Sequence, residues 1–370
     1  MPLRTLTLQE LRRDLAIHDL TDPANGPHAV QIIVDHAVEA LGAWRCEVRR
    51  IRGNPVVSVA DNYDRLRIGA EAVSRDTRYT RYIGDGVMLR SHTSAMIPPA
   101  LRDLAQNPSK DVLLVCAGMV YRRDSIDRLH SGTPHQLDLW RVRDEAPPLT
   151  VADLDQMVDR LVETITLGLR HRSLAREHPY TIHGRQIDVQ VGDEWVEIAE
   201  CGLAHPEVLA DAGLGSCTGL AMGVGLDRLL MIRKGMPDIR LLRLKDRRIA
   251  SQMLDLMPYR EVSPYPPIRR HLSIAVGIAD DAEELGDRVR LALGEDAQSV
   301  ESIHVISETL AGDLPAPAVE RLGLRSGQKN VLLEVVLRDL EKTLTDEDAN
   351  QLRDRIYQSL HHGDRVAVLP

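Results

Sequence analysis

The chain has 370 residues, 43% hydrophobic and 27% charged, with a net charge of −9. That length supports one sizeable core plus a smaller domain, and the balance is that of an ordinary globular protein rather than a disordered or fibrous one. The longest apolar run, at residues 112–120, is about half the length a membrane-spanning helix needs, so no membrane partner is expected.

The first residues, Met1–Leu20, carry Glu10, Asp14 and Asp19 and lack a basic start followed by an apolar core. No signal or transit peptide is therefore expected, and the cytoplasm is the expected compartment. Residues 28–41 put Val30, Ile33, Val34, Ala37, Val38 and Leu41 on one helical face, with Pro27 suited to the first turn. A strand-like run follows at 44–51 and breaks at Gly53-Asn54-Pro55. Residues 112–121 and 135–142 read as antiparallel strands joined by a polar loop, 122–134. Thr150 with Asp153 opens a long amphipathic helix through Ile165. Strands are expected at 185–191 and 194–204. A glycine-rich segment, 213–225, then leads into a helix at 226–234, ended by Gly235.

Residues 1–235 thus form the expected first domain, and 236–264 the expected linker, its end marked by Ser263-Pro264. Residues 265–370 read as strand 271–278, helix 282–293, strands 300–308 and 331–338, helix 346–360 capped by Thr345, and strand 364–368. The order βαββαβ is that of a ferredoxin-like domain. The fold class is α+β, an antiparallel sheet flanked by helices followed by this smaller unit. Cys46, Cys116, Cys201 and Cys217 have no C-x-x-C spacing, so a zinc site is not expected and free thiols are. Phenylalanine is absent from the whole chain.

Two arginines have positions that suit phosphate chemistry. Arg122 stands where a strand enters the polar loop, and Arg228 opens a helix after Gly223-Val224-Gly225. A planar guanidinium grips phosphate oxygens in pairs. No P-loop and no G-x-G-x-x-G after a strand is present. These residues belong to an ordered set of motifs: Leu89-Arg90-Ser91-His92-Thr93-Ser94, Gly118 to Asp124, Pro134 to Asp138, Trp195 to Ile198, Cys201 to Pro206 and Gly223 to Leu229. In this order and spacing they resemble the catalytic module of phenylalanyl-tRNA synthetase, a class II synthetase. Tyr265 to Arg270 and Lys342 to Glu347 resemble its ferredoxin-fold anticodon-binding domain. The fusion of the two looks like the single-chain organellar form, over about residues 28–370.

The resemblance implies ATP and Mg²⁺ as cofactors, and an amino acid and tRNA as partners. It implies that Arg122 binds the α-phosphate, that Asp124, His130 and Asp227 lie around the nucleotide, that Arg228 binds the γ-phosphate and that Glu197 holds Mg²⁺. His92, Ser94, Gln136 and Asp138 would hold the amino acid's backbone groups, with Ala221 at the pocket floor. Pro55 would be the motif 1 proline of a homodimer interface, although organellar members act as monomers. The chain departs from the family where Asp124, Asp138 and Asp227 replace glutamates. His178-Pro179-Tyr180 replaces Phe-Pro-Phe, and Glu200 replaces a glycine. These departures predict a polar or substituted aromatic amino acid as substrate, and Glu200 would favour one with a donor or a positive charge.

Residues 259–370 carry 13 Lys and Arg against 20 Asp and Glu, a net charge of −7. Nucleic-acid affinity rests largely on cations, so a tRNA-binding face would draw on Arg269, Arg270 and Arg325. The altered pocket and the acidic tail motivate a second reading: a paralogue adenylating a non-standard amino acid for a carrier protein or a small-molecule acceptor. A catalytically silent paralogue is a third, opposed by retention of Arg122, Glu197 and Arg228.

Overall fold

The computed structural model describes residues 4–262 and 265–365. Ser263 and Pro264 of the expected linker, and most of the expected strand 364–368, lie outside the described residues. Two compact units divide the chain. The first gathers the residues up to Arg122 with Thr133–Pro237 and Ala250–Tyr259. The second gathers Arg123–Gly132, Asp238–Ile249 and the residues from Arg260 on.

The first unit contains, in order, α1 (Leu8–Leu15), α2 (Ala29–Leu41), β1 (Glu47–Ile51), β2 (Val56–Ser58), α3 (Val59–Asn62), β3 (Tyr82–Gly84), β4 (Val87–Leu89), α4 (Ile97–Gln106), β5 (Asp111–Met119), β6 (His135–Arg143), α5 (Val151–Thr166), β7 (His171–Ala175), β8 (Thr181–Val191), β9 (Glu194–Ala204), α6 (Pro206–Asp211), β10 (Thr218–Gly225) and α7 (Leu226–Lys234). Seven strands form one sheet in the order β1-β5-β6-β10-β9-β8-β7, antiparallel except for β1 against β5. α2, α5 and α7 pack together against one face through alternate apolar residues such as Leu137, Leu139, Met222 and Val224. On the other face α4 lays Ile97, Leu101 and Leu104 over Val112, Leu114, Trp140 and Ala221. The rest of that face carries the candidate site.

The caps are those the sequence signals. Thr150 and Asp153 close a reciprocal box on α5, and Gly235 ends α7 in the left-handed region at φ 64°. At α2 the cap is His28, whose Nδ1 accepts from the Val30 N–H, so Pro27 stands outside the helix. The glycine-rich segment becomes a central strand, β10. Gly219 is required there, since a Cβ would stand 2.9 Å from that of Ala204 on β9.

The second unit adds α8 (Arg247–Ala250), β11 (Ile268–Gly277), α9 (Ala282–Leu293), β12 (Val300–Leu310), α10 (Ala316–Leu322), β13 (Gln328–Leu337) and α11 (Asp346–Leu360). Its antiparallel sheet has the order β11-β13-β12. α9 and α11 cover one face through Leu285, Val289, Leu352, Ile356 and Leu360. The chain leaving α11 reaches the free edge of β11, where the His362 N–H donates to the Ala275 carbonyl. Within residues 236–262, Ile239, Leu241, Leu242, Ile249 and Met253 are buried, so the apolar side chains of this segment pack rather than face water. Residues 123–132 pack within this unit too. Ile126 joins its core, and Arg290 donates to the carbonyls of Asp124 and Ser125.

Candidate active site

Register decides which side chains meet. Asp138 on β6 lies opposite Gly223 on β10, and Gly223 lies opposite Glu200 on β9. The next row on the same face is Trp140, Ala221 and Gly202. A one-residue bulge between β8 and β9 sets Ala199 against Ile187 but Glu197 against Asp188. It carries Glu197 onto the face that holds Glu200, which strict alternation over three residues would forbid.

Asp138 is 2% exposed. It accepts from Thr93 Oγ1 at 2.6 Å, Ser94 Oγ at 3.0 Å and Trp140 Nε1 at 3.4 Å. Burial nevertheless pushes its carboxyl up to about 6. The Thr93 N–H donates to Gln136 Oε1 at 3.3 Å, which fixes Gln136 beside it. Tyr180 stacks on Trp140 at 6.2 Å between ring centroids, and His178 stacks on Tyr180 at 5.8 Å. Three aromatic rings thus wall the row of Asp138 and Glu200. Glu200 Oε1 lies 3.3 Å from His178 Nε2, a distance for an ion pair though not aligned for a hydrogen bond, and 3.7 Å from Arg176 Nε. His178, against the opposing cost of burial, holds the Glu200 carboxyl below its ordinary value, aided by Arg176 and Arg122.

Arg122 is positioned from both ends. Its carbonyl accepts from Arg81 Nη2 at 3.0 Å, Arg81 is buried against Asp14 of α1 at 2.6 Å, and Arg122 Nε donates to the Ser91 carbonyl at 2.8 Å. Burial of the ring, with the Arg122 charge beside it, holds His92 down to about 3, so this imidazole is neutral; its Nδ1 is buried without a hydrogen-bond partner among the described residues. Arg228 donates from Nη1 to the Glu197 carbonyl at 3.1 Å. Burial raises the Glu197 carboxyl, Glu200 adds to the rise and Arg228 opposes it.

One face of one sheet therefore offers two arginines, two carboxylates beyond Asp138 and a stack of aromatic rings, with no nucleophilic triad among the described residues. The sequence profile of the tRNA synthetases class II core domain (F) matches residues 14–253. The chain belongs to the class II aminoacyl-tRNA synthetases. This synthetase chain is 26% identical over 318 residues to the chloroplastic/mitochondrial phenylalanine–tRNA ligase of Arabidopsis thaliana, covering 82% of this chain and 68% of that one. It is 28% identical over 360 residues to the probable mitochondrial phenylalanine–tRNA ligase of Drosophila melanogaster, covering 82% and 75%. To the phenylalanine–tRNA ligase alpha subunit of Prochlorococcus marinus (strain MIT 9313) it is 32% identical over 241 residues, covering 63% and 69%. Among solved structures, Desulfitobacterium hafniense PylSc, a pyrrolysyl tRNA synthetase, is similar at a TM-score of 0.45 and 15% identity, covering 64% of this chain and 78% of that one.

The synthetase core brings together His92, Ser94, Arg122, Gln136, Asp138, His178, Tyr180, Glu197, Glu200 and Arg228. Ala221 is part of the sheet packing under Trp140 and α4. Asp227 is spent elsewhere: it is buried and holds His135, accepting from the ring Nδ1 at 2.6 Å and from the backbone N–H at 3.2 Å. Asp124 and His130 lie in the segment 123–132 of the second unit, where His130 Nδ1 pairs with Asp127 Oδ2 at 2.6 Å. The three expected tRNA-facing arginines each carry an acid: Arg269 has Glu334 at 2.6 Å, Arg270 has Asp346 at 2.9 Å, and Arg325 has Asp364. Sequence reasoning assigned no role to Thr93, Trp140 and Arg81. The first two had a signal in their spacing, since Thr93 adjoins His92 and Trp140 shares the face of Asp138.

Proposed function

We propose that this class II synthetase is of the phenylalanine–tRNA ligase type, joining an aromatic amino acid to ATP as an aminoacyl adenylate and passing the acyl group to tRNA. The observation that carries the reading is the aromatic stack of Trp140, Tyr180 and His178 beside Arg122, on the face that also presents Glu197 and Arg228. Formation of the adenylate develops negative charge on phosphorus, so positioned cations supply most of the help a protein can give. Arg122, held from both ends, meets the α-phosphate and the substrate carboxylate; Arg228 meets the terminal phosphates. Buried neutral His92 keeps a second positive charge out of the amino-acid side.

Mg²⁺ fits the donor set. A carboxylate raised by burial beside Glu200 is one that a cation relieves, and Mg²⁺ on nucleotides commonly takes one or two protein carboxylates with phosphate oxygens and water completing its shell. Glu197 would hold it, and the ion would neutralise phosphate charge. The expected preference for a polar or substituted aromatic amino acid rests on the same stack, which presents an imidazole and a phenol where the family has two phenylalanine rings. The second unit, with its β11-β13-β12 sheet, would serve as the anticodon-binding part. The acid partners of Arg269, Arg270 and Arg325 are the observation behind a second and weaker reading, a carrier-protein or small-molecule acceptor, while the phenylalanine–tRNA ligase relatives support tRNA.

ATP–pyrophosphate exchange across amino acids and aromatic analogues, followed by charging of total tRNA, tests the proposal. Exchange with an aromatic amino acid and salt-sensitive charging support it. Exchange without charging of any tRNA supports the second reading, and exchange confined to aliphatic amino acids refutes the aromatic one.

A further inference from the structure

A buried histidine joins three parts of the first unit that the sequence keeps far apart. His135, the first residue of β6, is 1% exposed. Its ring Nδ1 lies 2.6 Å from Asp227 Oδ1, its backbone N–H donates to Asp227 Oδ2 at 3.2 Å, and the Leu20 N–H donates to its Nε2 at 3.1 Å. A backbone N–H can only donate, so Nε2 is the acceptor and the ring proton sits on Nδ1, facing the Asp227 carboxylate. The N-terminal segment thus sets the tautomer. That segment is itself tied down beside Leu20, where the Asp19 carboxylate accepts from the Met119 N–H at 2.9 Å and from Thr21 Oγ1 at 2.7 Å.

Asp227 stands in the first turn of α7, next to Arg228. The N-cap of that helix, Gly225, has no side chain with which to hold the turn. The far end of α7 is fixed by buried Lys234, whose Nζ donates to the carbonyls of Asp255 at 2.9 Å and Met257 at 2.6 Å. At the near end the polar hold is the grip of His135 on Asp227. Successive helical residues stand about 100° apart round the axis, so an Asp227 drawn inward fixes the direction in which Arg228 leaves the helix, toward the Glu197 carbonyl. By strand alternation His135 shares the packed face of β6 with Leu137 and Leu139, so its influence comes from behind the sheet. We propose that His135 is a positioning residue for Arg228: by gripping Asp227 it aims the guanidinium at the phosphates of ATP. The proposal rests on the reading that Arg228 serves ATP.

The test is ATP–pyrophosphate exchange with the full chain, one substrate saturating while the other is varied. His135→Gln and His135→Asn divide the two ring contacts. The Gln amide reaches the place of Nε2, so it keeps Leu20 and gives up the ring's bond to Asp227. The Asn amide stays at the place of Nδ1, so it keeps Asp227 and gives up Leu20. His135→Gln should raise the KM for ATP roughly 10-fold or more, the size of a bond to a charged partner, and leave the amino-acid KM nearly unchanged, while His135→Asn restores most of the wild-type value. Asp227→Ser, which withdraws the carboxylate, should match His135→Gln and stands in for it if that variant does not fold. In an Arg228→Ala background His135→Gln should change nothing further, because the group it aims is gone. Equal losses in His135→Gln and His135→Asn overturn the proposal, as does an unchanged KM for ATP or the same fold-loss repeated without Arg228. Calorimetric titration with MgATP separates this proposal from the reading beneath it. A wild type that binds MgATP but exchanges with no amino acid loses the activation reading, and His135 is then judged by the same variants on the affinity for MgATP. A wild type that binds no MgATP overturns both.

Discussion

Replacing Asp138 by Asn removes a buried charge while keeping the side chain's shape. Burial lifts this carboxyl from 3.8 to about 6 in the folded chain. Between those values the folded state binds more protons than the unfolded state, so the stability that protonated Asp138 contributes is present at low pH and is lost as pH rises through 6. Each pH unit in that window is worth about 1.36 kcal/mol, which gives roughly 3 kcal/mol in all, and no further change above it. The Asn variant has no proton to lose. Its amide stands where Oδ2 was, so the Thr93 hydroxyl must turn and accept, a cost that is the same at every pH. The stability of the variant relative to wild type should therefore improve by roughly 2–3 kcal/mol from about pH 4 to about pH 7. Urea unfolding of both proteins across that range, followed by tryptophan fluorescence, measures the difference directly. A difference that stays flat with pH refutes the reasoning, because it means that Asp138 titrates alike in both states.

Three further outcomes are expected. Arg122→Ala and Arg228→Ala should each lower the exchange rate by about 10²–10³-fold, as loss of one preorganised donor does, and near-full exchange in either removes that arginine from the site. Gly118→Ala puts a methyl 2.4 Å from Arg90 Nη2, whose guanidinium also donates to the Met119 and Gly53 carbonyls, so thermal unfolding should show a loss of about 1–3 kcal/mol. Light scattering should give twice the chain mass of 41.3 kDa if residues around Pro55 form a homodimer interface, and a monomer mass sinks that expectation.

The fold was legible where side chains carry a period. α2 and α5 announce themselves by apolar residues three and four apart, and β5 and β6 by dense apolar runs. β10 was not, because its site face is Ala221, Gly223 and Gly225, leaving only Leu220, Met222 and Val224 to mark a strand. α4 and α10 were hidden by proline, which reads as a breaker but is tolerated in a first turn. Motif order singled out Arg122, Glu197, Glu200 and Arg228, and the fold sets Arg228 against the Glu197 carbonyl and both glutamates on one face. Motif order was not enough for Asp227, which sits next to Arg228 in sequence but about 100° away around the helix, and so turns inward to His135. Nor does local sequence show that Arg269, Arg270 and Arg325 face acids 65, 76 and 39 residues away.

The bulge in β9 makes the chemistry of this strand a matter of parity. Glu197 and Glu200 share a side of the sheet only because one residue is supernumerary between them. A substitution at Ile198 would change packing and leave the count intact. Loss of that one codon would leave Glu197 two positions from Glu200, on the same side without a bulge, whereas regular pairing of all the residues present would turn Glu197 toward the packed helices and away from Glu200. Related sequences in this segment are thus to be compared by length before they are compared by letter, since a relative that keeps both glutamates at a spacing of two or four has them paired without a bulge, and one that keeps the spacing of three has kept the bulge with them.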